Sequence, residues 1–221
     1  ERTPSCLGFG RRSGKKQWGT VSHNGGLSDK GNERTTQASS TLACDGERLF
    51  VNLLNRDAVF TTALTLGGEQ LWQTKITDYV VHQGYGSSPL LVGPLVIVSA
   101  DNKGGGAIAG LDRATGEIVW RHERPELPNY PSPILLTIDG QVEGATTECV
   151  TSTPTDGEHV FPSGAYPKNN VSAIPVDGSG EVAWENDVRV YVPSLLINDS
   201  YRYAVTDAGV AICWEAATGT E

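Results

Sequence analysis

The chain of 221 residues contains no Met. Glu1 opens no signal peptide, so the sequence reads as a mature form, an excised fragment or a partial gene product. No stretch approaches the roughly 18–20 apolar residues of a spanning helix, which excludes a helical membrane span. Heptads and blocks of like charge are missing, which excludes a coiled coil and wholesale disorder. A basic excess is missing too. Lys and Arg number 17 against 26 Asp and Glu, a net charge of −9. That balance argues against nucleic acid as a partner, because a basic face is the expected footprint. The one basic cluster, Arg11-Arg12-Ser13-Gly14-Lys15-Lys16, reads as a solvated turn. Cys6, Cys44, Cys149 and Cys213 form no CxxC pair, which removes a zinc or thioredoxin-like site. Four cysteines allow three pairings, and all four also read as small buried hydrophobes.

What remains is an ordinary globular composition, 38% hydrophobic and 19% charged, long enough to bury a core without a staple. Its distinctive feature is repetition. A Gly stands four residues ahead of a Trp at Gly14/Trp18, Gly68/Trp72, Gly116/Trp120 and Gly180/Trp184. A fifth such glycine, Gly219, lies two residues before Glu221. The fullest copy is Gly110-Leu111-Asp112-Arg113-Ala114-Thr115-Gly116-Glu117-Ile118-Val119-Trp120. The physical unit is a hairpin. Asp112 or a small polar residue bonds the turn backbone, Gly takes the positive-φ position, and Trp leaves on one face of the next strand. A large ring at the same place in every repeat suits packing against the next sheet.

A second marker is Ser or Thr beside Pro, or a near variant, ahead of an apolar strand: Ser39-Ser40-Thr41-Leu42, Ser87-Ser88-Pro89-Leu90, Ser132-Pro133-Ile134, Ser152-Thr153-Pro154 and Pro193-Ser194-Leu195. Most copies lead into a tight turn such as Asp45-Gly46 or Asp156-Gly157. Each unit therefore reads as four short strands over roughly 40–50 residues, the size of a propeller blade. The expected fold is all-β, a partial β-propeller of four to five blades forming one domain over 1–221. Its units are 1–36, 37–84, 85–128, a truncated 129–150, 151–190 and an incomplete 191–221. Trp spacings of 54, 48 and 64 residues, set against marker spacings of 48, 44, 21 and 41, both break between Pro133 and Pro154. One cause fits: a segment of about 20–25 residues with one Gly…Trp turn is absent near Asp139–Gly144.

Residues 110–120 are similar to the tryptophan-docking repeat of the PQQ-like β-propeller superfamily, and the likeness runs from about residue 9 to residue 221. Gly84-Tyr85-Gly86-Ser87-Ser88-Pro89 and Tyr203-Ala204-Val205-Thr206-Asp207-Ala208-Gly209 resemble a bacterial subgroup of these repeats. The superfamily holds quinoprotein dehydrogenases, with pyrroloquinoline quinone (PQQ) and Ca²⁺ on the axis, and cofactor-free propellers that bind proteins. The dehydrogenase hallmarks are an adjacent Cys pair, a Trp floor and acidic ligands. No Cys-Cys pair is present. Trp18, Trp72, Trp120 and Trp184 are accounted for by docking, and only Trp214 is left over. The resemblance thus implies a non-catalytic secreted or periplasmic propeller without cofactor, binding a protein or small ligand. The alternative is a fragment of a PQQ- and calcium-dependent alcohol or sugar dehydrogenase.

The loops leading into the marker strands are expected to share one rim. They carry His82, Gln83, Tyr85, Asn129, Tyr130, Arg189 and Tyr191, with Tyr166 and Lys168 in a further loop. Rings interleaved with hydrogen-bond donors suit a binding face. The competing reading wedges the tyrosines between blades with their hydroxyls on backbone. His82 has no GxSxG and no Asp partner in the sequence, so no catalytic role is assigned to it. Asp101-Asn102-Lys103-Gly104-Gly105-Gly106 reads as a strand-joining loop rather than a calcium or phosphate site. Asn170-Val171-Ser172 and Asn198-Asp199-Ser200 fit the glycosylation sequon. Sheet faces left open at the two ends of the stack are expected to lower stability or drive self-association.

Overall fold

A computed structural model of the chain describes residues 3–23, 26, 38–135, 150–165 and 168–221. The proposed gap near Gln141, most of the unit 129–150, Cys149 and Tyr166 fall outside these residues. The described residues are all strand, turn and loop, with no helix. They form the up-and-down antiparallel sheets of a partial β-propeller. The residues cluster into two compact units, Glu1–Pro128 and Asn129–Glu221.

The first unit opens with a two-stranded sheet, β1 (Ser5–Phe9) and β2 (Lys16–Val21). Two complete four-stranded meanders follow. One is β3 (Ala43–Cys44), β4 (Arg48–Asn55), β5 (Ala58–Thr65) and β6 (Gln70–Asp78). The other is β7 (Leu90–Val92), β8 (Leu95–Ser99), β9 (Gly106–Asp112) and β10 (Ile118–Arg124). In the second unit β11 (His159–Val160), β12 (Ser163–Gly164), β13 (Asn170–Pro175) and β14 (Trp184–Asn186) make a shorter sheet. Both β11 and β12 pair with β13, so they are two halves of one strand. Pro162 divides them because it has no N–H to give the ladder. A three-stranded sheet closes the chain: β15 (Leu196–Asn198), β16 (Tyr201–Val205) and β17 (Ala211–Glu215).

Strand β4 shows why these sheets stack. Leu49 to Leu54 run almost without a polar break, and both faces of the strand are covered. Val51 and Leu53 pack with Cys6 and Leu64 toward the first sheet. Phe50, Leu54 and Ala63 pack with Val96, Val98 and Leu111 toward the third. The second unit has its own core of Phe161, Val171, Val190, Ala204 and Trp214. Trp214, unassigned by the repeat pattern, is thus a buried core residue. Cys6 is buried, Cys44 is exposed and Cys213 lies between, all three as free thiols, so Cys44 departs from the buried-hydrophobe reading.

Three of the tryptophans lie on a glycine turn of the next sheet. Atoms Cδ2 and Cε3 of Trp72 stand 2.5 Å from where a Cβ on Gly116 would sit, and the Trp72 indole donates to the Arg113 carbonyl at 3.2 Å. Thr74, two residues on, donates to the Gly116 carbonyl at 2.7 Å. Trp18 and Thr20 stand in the same relation to Gly68. Trp184 lies over Gly219 and donates to the Ala216 carbonyl at 2.7 Å. The turn is held from within. Asp112 Oδ1 accepts from the backbone of Ala114 and Thr115, each at 2.9 Å, while Gly116 takes φ 77°. Beside Gly14, at φ 63°, nothing lies within 4 Å of the Cβ position.

Gly116→Ala therefore meets both a positive φ and the Trp72 ring, whereas Gly14→Ala meets only the φ. We expect Gly14→Ala to cost about 1 kcal/mol and Gly116→Ala at least about 2 kcal/mol more in denaturant unfolding. Equal costs would show that the Trp72 contact does not hold the sheets.

The Asp-Gly turns carry buried charge. Arg202 is only 1% exposed and pairs with Asp156, its guanidinium 4.1 Å over the Phe161 ring. Burial opposes ionisation of Asp156. The backbone N–H groups of His159 and Glu158 and the charge of Arg202 outweigh it, so the carboxyl sits below the usual range. The resulting stability is complete above the unfolded Asp pKa of about 3.9 and is lost as pH falls through the lowered native value. Asp156→Asn should destabilise the fold near neutrality and flatten the acid limb of a stability–pH curve. An unchanged acid limb would assign acid unfolding to other carboxylates.

Candidate binding rim

In an up-and-down sheet, the loop leading into the first strand and the turn between the second and third strands lie at one end. The Asp-Gly and Gly…Trp turns lie at the other. Contacts between neighbouring turns agree. At the docking end Asp45 meets Arg48 at 3.1 Å and Arg113 at 3.4 Å, and Arg113 N–H donates to Pro94 O at 2.8 Å. At the opposite end Tyr79 N–H donates to Asp57 O at 2.7 Å.

This opposite end repeats one device, a side chain in the second turn that grips the lead-in loop. Asn102, buried, accepts from Val80 N–H at 3.1 Å and Gly104 N–H at 2.8 Å. Its amide donates to the carbonyls of Asp78, Ala100 and Gly105 at 3.1–3.2 Å. Asp207 accepts from the N–H groups of Tyr191 and Val192 at 3.3 and 3.4 Å and from Arg189 Nε at 2.8 Å. Asn55 Nδ2 lies 3.1 Å from His23 Nδ1, whose ring packs on Phe60. Burial pushes the His23 pKa down, which keeps the imidazole neutral there. The repeat pattern does not mark these grips. Their signal was a polar residue within two positions of a positive-φ glycine or turn, as at Asp207 and Gly209.

The rim candidates separate in the structure. Tyr85 leaves the rim. It is buried, its hydroxyl donates to Ser99 O at 2.8 Å, and its ring stands edge-on to Tyr79 at 5.7 Å. Burial raises its pKa, so the phenol stays protonated. Tyr79 in turn donates to Gly84 O at 2.7 Å, so two tyrosines spend their hydroxyls on backbone. His82 and Gln83 stay half-exposed in the same loop. Arg189 and Tyr191 come together around Asp207. Lys168 is exposed, and Asn129 and Tyr130 are half-buried near the start of the second unit. The loops also expose apolar side chains that the sequence reading did not single out: Val80 at 53% and Val192 at 63%.

The Ser-Pro markers serve packing. Ser88 Oγ accepts from Thr41 N–H at 2.8 Å, joining one marker to the next. Asn52 is buried, donates to Ser87 O at 3.2 Å and accepts from Thr61 at 2.9 Å. Asp101 pairs with Arg124 at 3.1 Å, which ties the Asp101–Gly106 loop to β10. Asn170 is buried and bonds Ser172, so its sequon is closed, while Asn198 is exposed.

Among the described residues no three His, Cys, Asp or Glu side chains converge as a metal would need. Trp18, Trp72 and Trp184 lie on glycines, Trp214 is in a core, and Trp120 rests against His122 at 5.5 Å.

A family model described as outer membrane protein assembly factor BamB matches residues 7–147. No curated protein sequence matches the chain. Among solved structures, BamB from Moraxella catarrhalis aligns at TM-score 0.42 and 18% identity, over 96% of this chain and 56% of that one. A europium-containing methanol dehydrogenase aligns at 0.47 and 15%, over 97% and 46%. Quinohemoprotein alcohol dehydrogenase from Comamonas testosteroni aligns at 0.44 and 12%, over 97% and 39%. The chain spans about half the length of the first two.

Removing the Asn102 side chain strands several buried backbone groups. Asn102→Ala should cost about 2–3 kcal/mol and speed hydrogen exchange at the Val80 and Gly104 amides before other sites. Exchange that rises evenly along the chain would mean that Asn102 is not the grip on this loop.

Proposed function

The chain belongs to the family of the outer membrane protein assembly factor BamB, and from that membership we propose that it is a non-catalytic binding module of the cell envelope or exterior. Its ligand is a protein or a small molecule, taken at the rim end of its sheets. One observation carries this reading: the lead-in loops are gripped from behind while their outward side chains stay exposed. Asn102 and Asp207 hold the backbone, leaving Val80, Arg189 and Val192 in solvent. Loops ordered before binding lose less entropy on binding, which favours recognition. No helix among the described residues is long and apolar enough to cross a membrane.

The test compares capture from cell-envelope extract by the unaltered chain and three variants. Val80→Asp and Val192→Asp alter the rim, and Leu66→Asp alters an exposed side chain in a docking-end turn. Bands or bound small molecules that either rim variant loses and Leu66→Asp keeps support the proposal. Identical capture by all four, or no specific capture by any, overturns it. A cofactor-free reading is checked separately, by a dye-linked dehydrogenase assay with added PQQ and Ca²⁺. Turnover there would replace the binding role with catalysis.

A further inference from the structure

Three described aspartates stand directly before a glycine at positive φ: Asp45 before Gly46 at 94°, Asp156 before Gly157 at 92° and Asp177 before Gly178 at 77°. The remaining Asp-Gly pair, Asp139-Gly140, lies outside the described residues. Such a pair has a chemistry of its own. No Cβ shields the glycine nitrogen, so the carboxyl before it can swing onto that nitrogen and close a five-membered ring. Whether it does so depends on what holds the carboxyl. Asp45 Oδ1 accepts from Glu47 N–H at 3.0 Å and Arg48 N–H at 2.7 Å. Its Oδ2 meets Arg48 at 3.1 Å and Arg113 at 3.4 Å. Asp45 N–H also donates to Arg48 O at 3.2 Å, which closes a tight hairpin. Asp156 is held in the same way. It accepts from Glu158 N–H at 2.9 Å and His159 N–H at 2.7 Å, pairs with Arg202, and donates its own N–H to His159 O at 3.3 Å. Asp177 is held far less. It is exposed, and its Oδ1 accepts from Ser179 N–H at 2.9 Å, with the Ser179 hydroxyl beside it. Among the described residues no ion pair includes Asp177. Its turn is also wider. Residues 176–183 separate β13 from β14, and the bond from Ala183 N–H to Ala173 O, at 2.9 Å, closes the turn outside the Asp-Gly pair.

We infer that Asp177 is a site of spontaneous covalent modification in the folded chain, converting to isoaspartate while Asp45 and Asp156 stay intact. The Gly178 nitrogen gives up its proton and bonds Asp177 Cγ, and one carboxyl oxygen leaves as water, which makes a cyclic imide. Water then adds back to the ring. Attack at Cγ restores aspartate. Attack at the main-chain carbonyl carbon breaks its bond to Gly178 N, so the chain runs through Cγ and the former main-chain carboxyl becomes the side group. One water is lost and one regained, so mass is unchanged and no other reactant is needed. All three carboxyls sit below the usual range, held there by hydrogen bonds and, at Asp45 and Asp156, by arginines, so ionisation does not rank them. Restraint does. Asp45 and Asp156 react only after local opening breaks an additional N–H bond and an ion pair. The product lengthens the β13–β14 turn by one methylene and moves the carboxylate away from Ser179. This inference does not depend on the rim as the ligand site.

The test ages the whole chain at neutral pH and body temperature, folded in buffer and unfolded in urea, and reads each Asp-Gly pair by tryptic digestion and electron-transfer fragmentation. That fragmentation separates isoaspartate from aspartate at equal mass. Asp177 lies in the tryptic peptide 169–189. In the folded chain isoaspartate should build up at 177 at least about tenfold faster than at 45 or 156, the factor set by the further bond and ion pair that must break there. In urea the three rates should come together, because the same glycine follows each aspartate. Asp177→Glu keeps the charge but would need a larger ring. It should remove the signal from peptide 169–189 and leave the thermal midpoint unchanged. Equal rates at the three pairs in the folded chain overturn the inference, as does a folded chain without isoaspartate at 177. A signal in that peptide that survives Asp177→Glu overturns it as well, by placing the reaction at another residue.

Discussion

A tryptophan ring can lie flat on a turn only where no Cβ rises from it. That constraint governs the stacked sheets of this chain. It fixes a glycine at the turn, because the ring of Trp72 occupies the space a Cβ on Gly116 would take. It fixes the conformation, because the turn closes with Gly116 at φ 77° and Asp112 gathering its N–H groups. It also fixes register across sheets, since the indole N–H and the Thr74 hydroxyl reach two different carbonyls of the same turn. A one-residue slip of β6 would carry Trp72 to the opposite face and break all of these contacts together. Ring, glycine and threonine therefore act as one unit.

Because docking occupies one end of each sheet, the other end must be held by different means. There the loops are long and contain Gly and Pro, and the docking turns do not reach them. Asn102 and Asp207 take over, each satisfying backbone groups that the ladders leave open. A buried amide with five bonds is stable only in one loop conformation, so it specifies that conformation as well as stabilising it. The two ends therefore divide the work. The docking end sets spacing between sheets, and the gripped end holds loops in fixed positions with their side chains outward.

Much of this frame was legible in the residues themselves. The recurring Gly and Trp, and the Asp-Gly turns, mark hairpins because glycine and aspartate have few other reasons to recur at that spacing. The meanders β3–β6 and β7–β10 fall where those marks put them. Partnership was not legible. Nothing in the order of residues says that Trp72 rests on Gly116, forty-four positions on, rather than on Gly68 in its own hairpin. Tyr85 looked like a rim residue because its loop is exposed on average. Its burial depends on Tyr79 folding back over Gly84, a contact made only in three dimensions. Asn102 was read as part of a turn, but its role comes from where Val80 ends up. A single polar letter carries no mark of how many bonds it will make.

The second unit shows that the interlock is specified by role rather than by residue. In the first unit the turn aspartate, Asp45, takes a cation three residues on, Arg48, and another from the next sheet's docking turn, Arg113. Asp156 occupies the same place. Three residues on it has His159, at 3.8 Å, and the matching docking-turn residue is Ala216, which accepts from Trp184 but carries no charge. The missing cation comes instead from Arg202 in β16 of that next sheet. To reach Asp156 it must pass through the core, and the Phe161 ring receives it there at 4.1 Å. Its Nε is left buried without a partner, a cost the first unit avoids by keeping its arginines near the surface. This repeat has a tryptophan and its glycine as the first unit does, and differs in the strand split at Pro162 and in the charge routed through the interior.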